Sequence, residues 1–69
     1  MTTQQFIAAA NEAISTEQFL GNLSRAIELS VETEIAIWNL TNASKSIDEV
    51  LSNASWELQW HCEHQRQNA

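Results

Sequence analysis

The sequence has no proline and a single glycine, Gly21, so it lacks the punctuation on which hairpin turns, sandwiches and βαβ loops rely. An all-α domain is the expectation. One cysteine, Cys62, cannot close an internal disulfide, which removes the disulfide-stapled class of small secreted domain. Cationic charge is scarce as well. Three basic residues against nine acidic ones leave a formal charge of −6, and the resulting field repels phosphate backbones and anionic membrane surfaces. Direct binding of nucleic acid or lipid is therefore not expected. No apolar run suits a bilayer span, because the longest uncharged stretch after residue 30, Ile35 to Ser44, is interrupted by Asn39, Thr41 and Asn42. Met1 to Ala10 contains no Lys or Arg and only the short apolar run Phe6 to Ala10, so no secretion signal is expected. The expected compartment is the cytoplasm, with Cys62 reduced. The Asn-x-Ser/Thr triplets at Asn22, Asn39, Asn42 and Asn53 are then accidents of an Asn- and Ser-rich composition.

What is present reads as helix. A side-chain oxygen that accepts a free first-turn amide, with Glu or Gln three residues later, marks a helix start, and Thr2 with Gln5, Ser15 with Gln18 and Ser46 with Glu49 fit that pattern. These predict a short N-terminal helix over 3–14 and a long antiparallel helical hairpin over 16–38 and 46–66, all within one domain spanning 1–69. The first helix gathers Phe6, Ile7, Ala10, Ala13 and Ile14 on one side. In the second, Leu20, Leu23, Ile27, Val31, Ile35 and Trp38 form one stripe expected to face the core, with Glu17, Arg25, Glu28 and Glu32 on the wet side. The β-branched run from Val31 to Ile37 is the rival strand, although no partner strand is evident in the chain. Asn39 to Lys45 supply connector chemistry without a glycine. In the third helix Ile47, Val50, Leu51, Ala54 and Leu58 share a face, continued by His61 or Cys62. A 69-residue chain builds only a small core, and one short helix cannot cover two long ones, so completion by a homodimer is expected.

Trp56 and Trp60 lie one helical turn apart, opposite Ile47, Val50 and Leu51, and exposed indoles are typical anchors of protein interfaces. The bland alternative is that Phe6 and Ile7 of the first helix cover them. Glu49, Glu63, Trp38 and Glu34 complete the candidate partner-binding set. Glu34 projects into the stripe between Leu23, Ile27 and Trp38, either to pair with a partner's Arg or Lys, or with Lys45 or Arg25 of another subunit, or as a flank position whose carboxylate reaches water. Glu57, His61 and His64 have helical spacings of four and three, a weak pattern for zinc or nickel that lacks a third imidazole and the frame of the hydrolytic helix motif. Histidines answering a helix C-terminal dipole account for it as well, so no metal or other cofactor is expected. Cys62 has the character of a small apolar filler.

Catalysis has little support: there is no glycine-rich phosphate loop and no Cys-x-x-Cys, and the acid pair Glu28 and Glu32 falls on the wet face. The expected function is non-enzymatic, a small acidic regulator, adaptor or inhibitor that binds a protein through the aromatic face of its third helix. The alternative is a mimic of nucleic acid, in which Glu12, Glu17, Glu28, Glu32, Asp48, Glu49, Glu57 and Glu63 imitate a phosphate array and occupy a DNA- or RNA-binding protein.

Overall fold

A computed structural model describes the backbone of residues 1–68 and the side chains of residues 1–64. Among the described residues the chain is helical throughout and contains no strand: α1 spans Thr3–Phe19, α2 Leu23–Thr41, α3 Ile47–Asn53 and α4 Trp56–Asn68. The Thr2 capping box forms as expected, with the Gln5 N–H donating to Thr2 Oγ1 at 3.1 Å and the Thr2 N–H donating to Gln5 Oε1 at 2.8 Å. Ser46 caps α3 by accepting from the Glu49 N–H at 3.2 Å.

The third expected start is absent. Helix α1 runs straight through Ser15, and the Thr16 hydroxyl donates back to the Glu12 carbonyl at 2.9 Å instead of opening a new helix. The stop falls at Gly21, whose φ of 81° lies in the left-handed region that glycine enters without a Cβ penalty. Two backbone bonds close this end as a Schellman motif: the Gly21 N–H donates to the Gln18 carbonyl at 3.1 Å and the Asn22 N–H to the Glu17 carbonyl at 2.9 Å. The αα-hairpin of the fold is thus α1 with α2, not the second and third predicted helices. The region 31–37 is helical. Its β-branched residues are overruled by packing, since Ala26, Leu29, Thr33 and Ala36 are buried at steps of three and four and the Thr33 hydroxyl bonds the Leu29 carbonyl at 2.7 Å. After α2 the chain turns without glycine, through Ser44 at φ 53°.

The orientation of α2 is the main correction. The stripe Leu20, Leu23, Ile27, Val31, Ile35 and Trp38 points to solvent, each residue more than half exposed, whereas on the expected wet side Glu17 is buried and Arg25 and Glu32 are partly buried. The reason lies in the size of the packed side chains. Helix α1 presents Phe6, Ala9, Ala10 and Ala13, and the narrow row Ala26, Leu29, Thr33 and Ala36 lets α2 sit closely on it. Bulky Leu, Ile and Trp side chains in the same place would hold the two backbones apart.

The expected long third helix is broken at Ala54, which is extended at ψ 166°. Glu32 of α2 fixes the break by accepting the Ser55 N–H at 3.0 Å, Ser55 Oγ then caps the Leu58 N–H at 3.3 Å, and the Gln59 amide covers the Ala54 carbonyl at 2.8 Å. The break lets α3 pack on α2 while α4 packs on α1, which one straight rod could not do. Val50, Leu51, Leu58 and Cys62 thereby join Phe6 and Leu29 in a single core. Cys62 is fully buried, in keeping with a filler role, and forms no disulfide. Among the described residues no helix is long and apolar enough to cross a membrane.

Candidate functional site

Helix α4 begins at Trp56, directly after the Ser55 cap, so this indole stands on the first turn of a short helix. It is 76% exposed, and Trp60, one turn later, is 48% exposed. Phe6 is buried in the core and Ile7 packs against it, while about half of the Trp60 surface is covered. Trp60 is held by its own helix: its ring stacks on His64 with centroids 5.0 Å apart and meets the edge of His61 at 5.1 Å. Those contacts pack part of the half-exposed indole against its own helix. Glu63, three residues beyond Trp60, is exposed. The remaining expected contact residues are exposed but distributed over other helices, with Glu34 and Trp38 on α2 and Glu49 in the first turn of α3.

A second cluster, which the sequence reading did not assemble, sits where the end of α1 and the starts of α2 and α4 meet. Glu17 is 93% buried. Its Oε2 accepts from Asn22 Nδ2 at 2.9 Å, so the residues that exchange backbone bonds in the Schellman turn also pair through their side chains. Arg25 Nε donates to Glu57 Oε2, and Arg25 Nη1 donates to Glu28 Oε2 at 2.6 Å. A hydrogen bond shared with Glu17 holds the Glu57 carboxyl below the usual carboxylate range; the Arg25 guanidinium adds to this, and desolvation opposes it. The hydrogen bonds to Glu57 and then to Glu28 raise Arg25 above its ordinary value. A hollow of about 570 Å³ lined by Glu17, Gly21, Asn22, Arg25 and Glu57 opens beside the cluster.

Of the weak metal set, Glu57 and His61 are brought together with Glu17, their ligand atoms all within 4.8 Å of one another, while the His64 ring lies against Trp60. Two carboxylates and an imidazole are donors of a kind that suits zinc. Here the guanidinium of Arg25 on Glu57 already supplies the cation that neighbouring carboxylates require. The cluster therefore reads as a polar clasp joining three helix ends. Its sequence signal was the spacing of Glu57 to His61, but Glu17 and Arg25 enter only once Gly21 is known to turn the chain.

No family model, curated protein or solved structure matches the chain. The functional reading consequently rests on surface chemistry.

Proposed function

We propose that the protein is a non-enzymatic interaction module of the cytoplasm, a small acidic regulator, adaptor or inhibitor that works as a homodimer and acts by steric occupation or bridging. The single observation that carries this reading is the pair of solvent-facing indoles Trp56 and Trp60 on α4. An exposed Trp opposes solubility unless something uses it, and Trp is the residue most enriched among interface anchors. The surface that suits this pair is an apolar pocket rimmed by Lys or Arg, since Glu63 stands beside Trp60 and the chain carries a formal charge of −6. The nucleic-acid-mimic alternative has a reduced array to work with, because Glu17, Glu32 and Glu57 are engaged in internal hydrogen bonds.

The test is capture of partners from the native cell by the tagged wild type and by the Trp56→Ala, Trp60→Ala double variant, at ~50 and ~200 mM salt. A partner retained at both salt concentrations and lost from a folded double variant supports recognition through the indoles. Capture that survives the double substitution overturns it, and capture that collapses with salt in both proteins points to the acidic decoy.

A further inference from the structure

Helix α2 carries a more extensive unpartnered surface than α4 does. Leu23, Ile27, Val31, Ile35 and Trp38 are all more than half exposed, and Leu20, also more than half exposed, precedes them at the end of α1. Among the described residues this row leaves five bulky apolar side chains largely in water, as many as Phe6, Leu29, Val50, Leu51 and Leu58 that the core buries. We infer that this face of α2 is the self-association surface of the protein, covered by the same face of a second copy. The inference rests on the dimeric part of the proposed function and assigns it to one helix.

Three observations favour a second copy as the occupant. The five α2 residues of the row together expose on the order of 600 Å² per chain, at the low end of the ~600–1,000 Å² that each partner contributes to a standard stable interface. The row is also self-complementary in shape. Leu23, Ile27, Val31 and Ile35 step by four residues and so form one inclined ridge, and two such ridges interlock at a crossing of about 50° with equivalent residues on both sides of a two-fold axis. Finally, among the described residues the buried core is a cluster of ten, four of them alanine, and a fold with so small an enclosed core gains from every contact a subunit adds.

Sedimentation equilibrium of the full chain between ~1 and ~100 µM tests this, beside Ile27→Glu, Ile35→Glu and Trp56→Ala, Trp60→Ala double variants. Both isoleucines lie outside the core, so the first variant is expected to keep its helical circular dichroism. The expected result is a dimeric wild type, a dimeric tryptophan variant, and dimerisation weakened by roughly 100-fold or more in the α2 variant, where two glutamates enter an apolar seam. A dimer that survives in the folded α2 variant overturns the assignment to α2 and leaves dimerisation itself standing. A wild type that stays a single chain at ~100 µM overturns both. In that case, loss of a captured protein in the α2 variant assigns the row to a foreign partner.

Discussion

The side of α2 that faces the core decides how every other surface is interpreted, and two substitutions two residues apart test it. Leu29 is fully buried between α1 and α2, whereas Ile27 is 65% exposed. Truncating a buried leucine to alanine removes transfer free energy and leaves a cavity, costing about 3 kcal/mol within a range of 2–5. Only about a third of Ile27 is covered, so Ile27→Ala costs roughly 1 kcal/mol in the isolated chain. A 69-residue domain has about 3–10 kcal/mol in hand, so Leu29→Ala approaches complete unfolding and Leu29→Val, at about 1 kcal/mol, provides a second measurable point. The assay is urea unfolding followed by circular dichroism, with protein held at ~1 µM and again at ~100 µM to separate folding from association. At the lower concentration Leu29→Ala is expected to lose far more stability than Ile27→Ala, and at the higher one the deficit of Ile27→Ala grows. Equal losses at both positions in dilute protein, or a larger loss at Ile27, would refute the orientation.

Two further outcomes concern the polar joints. Gly21→Ala should lower stability by about 1 kcal/mol through the left-handed backbone alone, because nothing lies within 4 Å of an added Cβ; Gly21→Asn should cost less, and equal losses in thermal melts would mean the helix end is set otherwise. Glu57 titrates below its ordinary value of 4.5 when folded, so its stabilising contribution is complete above that pH and disappears as the pH falls through the lower folded value. Glu57→Gln should then flatten the acid limb of stability against pH and cost roughly 1 kcal/mol at neutral pH, and an unchanged acid limb would exclude the clasp as a source of that dependence.

Helix α1 began where the sequence placed it because Thr2 and Gln5 are three residues apart, and a capping box is a local interaction that needs no tertiary partner. Ser15 with Gln18 had the same spacing and failed. By that point a helix was already propagating, and continuing it adds one hydrogen bond per residue without a new nucleation cost. Of the connector expected over Asn39 to Lys45, only Asn42 to Lys45 lie outside α2, which extends through Thr41, whereas the break at Ala54 depended on a carboxylate 23 residues from Ser55. Trp56 and Trp60 were legible as a surface pair from their spacing and their position opposite the apolar face. The clasp of Glu17, Arg25 and Glu57 was not, because its members come from three helices that only the Gly21 turn and the Ala54 break bring together.

By itself the sequence determined a helical chain, its acidity, its capped first helix and a pair of indoles off the main apolar face. Those properties follow from local backbone chemistry, from counting charges and from the 3.6-residue period, none of which needs a neighbour. Tertiary structure alone decided which of two apolar faces α2 would bury. Periodicity reports that a face is apolar and is silent on what it meets. With α1 offering alanines around Phe6, the row of Ala26, Leu29, Thr33 and Ala36 gave the closer packing, and the bulky row from Leu23 to Trp38 was left in solvent.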